Sequence, residues 1–265
     1  MKVYISVDIE GVAGITHWDE AGIGKPGYEQ YRAQMTAEAA AACDGALAAG
    51  ASEVVVKDAH SSGRNILPER LPEPVRLIRG WSGDPLCMVQ DLDASFDAVA
   101  MVGYHSAAGA GGNPLAHTIS GKLFKMLVNG ELMSEFMLHR NAAAELGVPT
   151  VFLAGDEALC DAAKAASPAI HTVATKCAAG ASTTSIHPAL AARNIQGGIE
   201  AALRDDAARA LPALADGFAL ELWFEKNEDA YAASYYPGAR LDAPHCVKFD
   251  SGVFFEIMRM LQFVL

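Results

Sequence analysis

Short apolar runs alternate with longer amphipathic stretches along most of the chain. Apolar runs that stop at polar residues are typical of buried strands, and apolar residues at helical spacing are typical of helices. The predicted strands cover residues 2–9, 53–60, 75–78, 96–104, 123–128 and 150–153. The predicted helices in this part cover residues 28–49 and 132–146. This alternation predicts an α/β fold with a mostly parallel sheet and helices on both of its faces.

The last third of the chain has a different pattern. A predicted helix at residues 188–209 is followed by residues 218–224, which alternate apolar and polar as in a strand with one exposed face. A second strand is predicted near residues 246–249, and a helix is predicted at residues 252–265. We therefore expect an α/β domain at residues 1–189, which carries the functional site, and a smaller α+β subdomain at residues 190–265.

Composition narrows the class of protein. The chain has 265 residues, of which 51% are hydrophobic, so it can bury a substantial core. Its 32 acidic and 20 basic residues give a net charge of -12, which argues against nucleic acid as a partner. Five widely spaced cysteines without a C-x-x-C pair argue against a disulfide framework and against a thiolate zinc site.

The sequence also bears on location. The segment that begins at Met1 has no apolar stretch long enough for a signal peptide. The Ala-rich segment near residues 37–51 is interrupted by Glu38 and Asp44, so it is not expected to span a membrane. We therefore predict a cytoplasmic protein without a membrane span.

Polar side chains follow three of the predicted strands where each strand ends. Asp8 and Glu10 lie at the end of the first, His60 lies at the end of the second, and His105 comes at the end of the run at residues 96–104. Side chains two apart on a strand share a face, and ligands of open α/β sheets bind outside the carboxyl ends of the strands. Because two neighbouring carboxylates repel each other unless a cation compensates them, this edge is predicted to bind a metal.

Two further candidate residues come later in the chain than these strand ends. Glu135 lies at the start of a predicted helix after Asn129-Gly130, from where its carboxylate can reach the same edge. Imidazoles and carboxylates are ligands suited to zinc or another divalent metal, and carboxylate bridging allows two ions. His117 follows a glycine-rich loop at residues 107–114, which is typical of a mobile segment or of a close backbone approach.

Five motifs of the chain, in order, resemble those of the D-aminopeptidase (DppA-type) family of dizinc, self-compartmentalising metallopeptidases. They are Ser6-Val7-Asp8-Ile9-Glu10-Gly11, Asp58-Ala59-His60-Ser61, Gly103-Tyr104-His105-Ser106, His117-Thr118, and Val128-Asn129-Gly130 followed by Glu135. The resemblance extends over most of the chain, and five motifs in order are far more specific than any one of them.

The resemblance implies a set of roles for these residues. Two zinc ions per chain are expected on Asp8, Glu10, His60, His105 and Glu135, with Asp8 as the bridge. The catalytic group is expected to be His117. The resemblance also implies a short peptide as substrate and a ring-shaped homo-oligomer, such as a decamer, with an enclosed chamber.

The chemistry of such a site leads to an expected function. Two divalent ions lower the pKa of a shared water and polarise a peptide carbonyl, and a nearby histidine can protonate the leaving amine. We expect an aminopeptidase that releases the first residue of short peptides, including peptides of D-amino acids. His117 is expected to act as an acid or base, and a nucleophilic role stays open.

Two alternatives remain from the residues themselves. A metal-dependent phosphohydrolase or esterase can use the same strand-end ligands, although no serine or threonine nucleophile stands beside the first ligand and no basic cluster is apparent. A non-catalytic, metal-stabilised oligomer that binds peptides is the other alternative.

Overall fold

A computed structural model describes residues 1–265. The strands are β1 (Lys2–Val7), β2 (Glu53–Asp58), β3 (Val75–Ile78), β4 (Ala98–Tyr104), β5 (Leu123–Val128), β6 (Glu131–Leu132), β7 (Thr150–Asp156), β8 (His171–Ala179), β9 (Ser182–Ser185), β10 (Phe218–Phe224), β11 (Arg240–Ala243) and β12 (Cys246–Ser251). The α-helices are α1 (Trp18–Ala21), α2 (Tyr28–Ala48), α3 (Glu135–Glu145), α4 (Glu157–Ala166), α5 (Pro188–Arg204), α6 (Asn227–Ala233) and α7 (Phe254–Val264). Three short 3₁₀ helices complete the structure at Pro68–Arg70, Cys87–Val89 and Asp206–Arg209.

The larger sheet has seven strands in the order β3-β2-β1-β4-β7-β8-β9. All neighbouring strands are parallel except β9, which pairs antiparallel with β8. The central strands β1, β4 and β7 are almost completely buried, as expected for parallel strands covered on both faces. Helices α2 and α5 cover one face, and α3 lies on the other. The predicted α/β fold is confirmed.

The smaller sheet has five strands in the order β11-β12-β10-β5-β6, and its neighbouring strands are antiparallel. Along β10, buried residues alternate with more exposed ones, which is the pattern that predicted a strand with one exposed face. Its buried face joins α3 and α7 in one continuous hydrophobic core with the larger sheet.

The predicted division at residue 190 stays a prediction about domain organisation. Two features of the structure bear on it. The smaller sheet takes β5 and β6 from the middle of the chain, and α5, which follows residue 187, packs against α2 beside the larger sheet.

Several elements differ from their prediction. The helix predicted at residues 188–209 ends at Arg204 and is followed by a 3₁₀ turn. Residues 227–233 form α6, which was not predicted. Strands β8 and β9 were not predicted, because their exposed residues leave no clear apolar run. None of the chain's helices has both the length and the apolar surface that crossing a membrane requires.

Candidate metal centre

The structure brings all five predicted ligands and His117 to one edge of the larger sheet. Strand β1 lies between β2 and β4, and the chain leaves each of these strands at the same edge. The predicted ligands are all at most 7% exposed: Asp8, Glu10, His60, His105 and Glu135. The convergence follows from the parallel arrangement of the three strands, whose carboxyl ends must share an edge.

Two glycines allow the segment after β1 to touch the end of β4. A Cβ on Gly11 would lie 1.8 Å from the carbonyl oxygen of Tyr104, and a Cβ on Gly103 would lie 2.1 Å from that of Asp8. Gly103 also has φ of 74°, a conformation that side chains disfavour. The backbone of Asp8 is thereby placed directly beside the segment that carries His105.

The ligand atoms form two half-sites that share Asp8. In the first half-site, Nδ1 of His60 lies 3.2 Å from Oδ1 of Asp8 and 3.1 Å from Oε2 of Glu10. In the second half-site, Nε2 of His105 lies 3.5 Å from Oδ2 of Asp8 and 3.2 Å from Oε2 of Glu135. Because ligand atoms of Asp8, Glu10 and His105 also lie within 4.8 Å of one another, the half-sites form one continuous cluster.

The hydrogen bonds of the histidines turn their lone pairs toward the carboxylates. Nε2 of His60 lies 2.9 Å from the carbonyl oxygen of Ala21, and Nδ1 of His105 lies 2.9 Å from that of Ser106. A carbonyl oxygen accepts only, so each of these nitrogens carries the proton. The opposite nitrogen then faces a carboxylate, and a metal ligand in this form typically donates its other N–H in this way.

Buried polar atoms in the cluster lack a hydrogen-bond partner. Oε2 of Glu10 and Nε2 of His105 are completely buried and make no hydrogen bond. Such groups are rare in proteins because they lose their contacts with water without compensation. A divalent cation satisfies both kinds of atom at once, so the donor set fits zinc.

The electrostatics of the cluster point to the same need for positive charge. Burial, and then the carboxylate of Glu10, raise the pKa of Asp8 well above its ordinary value. Burial lowers the pKa of His105, but Glu135 and Asp8 outweigh burial and raise it to about 10. The three carboxylates of the buried cluster therefore favour the protonated forms of neighbouring groups such as Asp8 and His105. A metal ion would replace those protons.

Glu135 is positioned by the start of α3. Ser134 caps this helix by accepting a hydrogen bond from the backbone N–H of Met137. Oε1 of Glu135 accepts a hydrogen bond of 2.7 Å from the backbone N–H of Ile119. This bond leaves Oε2 to face His105, so the first turn of the helix and the loop before it orient the carboxylate together.

His117 lies at the boundary between the cluster and the surface. Its ring stacks on His105 with a centroid distance of 4.3 Å and meets Trp18 edge-on at 5.3 Å. Nδ1 is 2.9 Å from the carbonyl oxygen of Leu115, and Nε2 is 3.6 Å from Oε1 of Glu135. The side chain is 19% exposed, so its free nitrogen can meet both the cluster and an incoming molecule. The catalytic role of His117 stays a prediction.

A cavity of about 380 Å³ opens onto the cluster. Part of its wall is apolar and includes Trp18, Trp81, Met88 and Ile119. Five non-glycine residues of the chain have positive φ, and three of them line this cavity: Ser61, Cys87 and Ile119. Strained backbone of this kind tends to occur at functional sites.

Sequence reasoning missed the residues behind the cluster and in the cavity wall. Trp18 and Trp81 lie outside the predicted strands and helices, and no sequence pattern marks them as residues that line a cavity. Asp156 could have been found, because it ends β7 at the same edge of the sheet. Two histidines outside the cluster have structural roles, because His17 caps α1 and His187 caps α5.

The fold and the site define a class of α/β proteins with a buried carboxylate–histidine cluster at the carboxyl edge of a parallel sheet. A family model described as D-aminopeptidase matches residues 1–263. The chain belongs to this D-aminopeptidase family, and the predicted family resemblance is confirmed.

Two relatives show how close the similarity is. The chain is 34% identical over 178 residues to the D-aminopeptidase of Bacillus subtilis (strain 168), a match that spans 66% of this chain and 64% of that relative. It is also similar to a solved structure described as the Zn-dependent D-aminopeptidase DppA from Bacillus subtilis, a self-compartmentalizing protease. That match has a TM-score of 0.93 and 27% identity, and it covers 100% of this chain and 96% of the other.

Proposed function

We propose that this protein is a zinc-dependent aminopeptidase that releases the first residue of short peptides, including peptides of D-amino acids. The observation that carries the proposal is the pair of half-sites joined by the two oxygens of Asp8. Family membership supports the reaction, and the zinc-dependent relative supports the metal. The alternatives lack comparable support.

Each half-site has the residues to hold one ion. Glu10 and His60 would bind the first ion, His105 and Glu135 would bind the second, and Asp8 would bridge the two. When bound, two such ions supply an activated water and polarise the carbonyl of the scissile bond. The protein fixes the ligands in advance, because the second nitrogen of each histidine is tied to a backbone carbonyl.

We assign proton transfer to His117. The carbonyl oxygen of Leu115 holds the proton on Nδ1, which leaves Nε2 free to accept a proton beside the cluster and pass it to the leaving amine. Stacking on His105 and the edge contact with Trp18 keep the ring in this orientation. A rigid base beside the ligands suits peptide hydrolysis, because the departing nitrogen needs a proton.

The cavity fits a small peptide. A volume of about 380 Å³ lies at the low end for ligand pockets. No lysine or arginine lines the cavity, which argues against a phosphate ester, since phosphate recognition usually relies on such residues. The buried carboxylates would attract the positively charged amino terminus of a peptide.

We also propose that the protein assembles as a homo-oligomer. The Bacillus subtilis relative is described as self-compartmentalizing. Large apolar side chains of this chain are exposed on the surface and are available for contacts between copies: Phe124, Leu132, Val253 and Phe263. We propose that this oligomer is a ring, such as a decamer, and light scattering tests both. We also propose that the protein is located in the cytoplasm, and cell fractionation tests this location.

The reaction is tested by metal analysis paired with three substrates. We expect about two zinc ions per chain by mass spectrometry and release of alanine from a D-Ala dipeptide. An L-Ala dipeptide measures stereochemical preference, and p-nitrophenyl phosphate tests the phosphohydrolase alternative. A metal-free protein, or one that cleaves only the phosphate ester, contradicts the proposed function.

A further inference from the structure

Two buried side chains hold the backbone carbonyl of Glu10 from behind. This oxygen accepts a hydrogen bond of 2.5 Å from Nζ of Lys176 and one of 3.0 Å from Nδ2 of Asn113. Lys176 is 3% exposed and Asn113 is 5% exposed. A buried lysine is rare, because removing its ammonium from water is costly unless acceptors compensate it. Here the acceptors belong to the segment that carries a predicted metal ligand.

Lys176 joins both ends of that segment. In addition to the carbonyl of Glu10, its Nζ donates to the carbonyl of Ile15 at 2.8 Å. Between these two points, the backbone N–H of Ala13 donates to the buried carboxylate of Glu38 at 3.0 Å. Removing the ammonium would leave two carbonyl oxygens without this donor and would release the loop from which the Glu10 carboxylate projects.

Asp156 anchors the second donor. Its Oδ2 accepts from Nδ2 of Asn113 at 3.2 Å and from the backbone N–H of Ser106 at 2.7 Å, while its Oδ1 accepts from Oγ of Ser106 at 2.6 Å. Asp156 and Lys176 are partners in register on the neighbouring strands β7 and β8. The carboxylate and the ammonium therefore form one rigid frame behind the ligands.

The loop that contains Asn113 is packed tightly onto this frame. A Cβ on Gly112 would lie 2.3 Å from Oγ of Ser106 and 2.4 Å from Cβ of Ala158. The loop at residues 107–114 thus uses a glycine for close approach, one of the two expectations for it. Its packing fixes Asn113 between Asp156 and Glu10.

We propose that Lys176 and Asn113, anchored by Asp156, are positioning residues that hold Glu10 in the first half-site, an inference that rests on the metal centre proposed above. Both side chains donate to the backbone carbonyl of Glu10 and not to its carboxylate, so each acts on this ligand through its backbone. Their effect should fall mainly on the ion bound by Glu10 and His60.

The test measures the affinity for each ion separately. Metal-free wild type, Lys176→Met and Asn113→Ala are titrated with zinc against a chromophoric chelator, and Co²⁺ absorption spectra report the geometry of the ligands. Substitution of a residue that supports a metal ligand typically lowers metal affinity about 10- to 100-fold. We expect a loss of this size for one ion, an altered Co²⁺ spectrum, and little change for the other ion.

A control variant and a second substitution that changes no charge make the result of the test unambiguous. Lys164→Met removes an exposed lysine from α4 and serves as the matched control, with the affinities of wild type expected. Asn113→Ala removes no charge, so it tests the role even where Lys176→Met does not fold. Circular dichroism of each metal-free variant verifies the fold.

The remaining outcomes separate this inference from the proposed function. Wild-type affinity for both ions and an unchanged Co²⁺ spectrum in the folded variants would overturn the positioning role. Equal weakening of both ions would overturn it too, because the role is assigned to one half-site. A wild-type chain that binds no zinc contradicts the proposed function and removes the basis of the inference with it.

Discussion

Replacement of Gly103 by alanine tests how the backbone builds the site. The residue has φ of 74°, and its Cβ would lie 2.1 Å from the carbonyl oxygen of Asp8. The left-handed conformation costs a non-glycine residue about 1–2 kcal/mol. Forcing an extra carbon into a packed site costs about 1–3 kcal/mol more. We therefore expect Gly103→Ala to lower the free energy of unfolding by about 2–5 kcal/mol, a large part of a typical stability of about 5–15 kcal/mol.

Gly147 provides a matched control. It has φ of 79°, but a Cβ at this position would meet nothing within 4 Å. Gly147→Ala should therefore cost only the conformational term of about 1–2 kcal/mol. Urea denaturation of both metal-free variants measures the difference, which isolates the clash with Asp8.

The same pair distinguishes a local from a global effect. Because the clash pushes on the backbone of Asp8, Gly103→Ala should also weaken zinc binding, whereas Gly147→Ala should not. Unfolding free energies of the two variants within about 0.5 kcal/mol of each other would refute the reasoning.

Three further predictions concern catalysis, substrate binding and pH. His117→Ala should keep both zinc ions and lower kcat about 100-fold or more; unchanged turnover would remove it from the mechanism. Trp81→Ala removes a wall of the cavity and should raise KM about tenfold with little change in kcat, measured on the D-Ala dipeptide. Burial raises the pKa of Glu38 from 4.5 to about 7, so stability should fall as pH rises between these values, and Glu38→Gln should make that slope shallower in urea titrations.

The strand-edge part of the site could be predicted because it depends on local pattern and on one topological rule. Asp8 and His105 follow apolar runs, and parallel strands deliver their ends to one edge. The sharing of Asp8 between two half-sites depends on side-chain orientation, and before the structure only the resemblance to the D-aminopeptidase family indicated it. Distances of 3.1–3.5 Å between ligand atoms now define it.

Residues from distant segments could not be predicted in the same way. Lys176 lies on β8, where exposed and buried residues mix without a strand pattern, and it reaches Glu10 across 166 positions. The pairing of β5 with β10 likewise joins segments far apart in the chain. Such contacts depend on the packing of the whole fold, and a local hydrophobic pattern carries no information about them.

Zinc content of Asp8→Asn and Glu10→Gln tests the central claim most directly. Both oxygens of Asp8 face a histidine, one in each half-site, whereas Glu10 faces only His60 at close range. Mass spectrometry of the purified variants should find almost no zinc in Asp8→Asn and about one ion in Glu10→Gln, against about two in wild type. Retention of both ions by Asp8→Asn would contradict the shared two-metal centre.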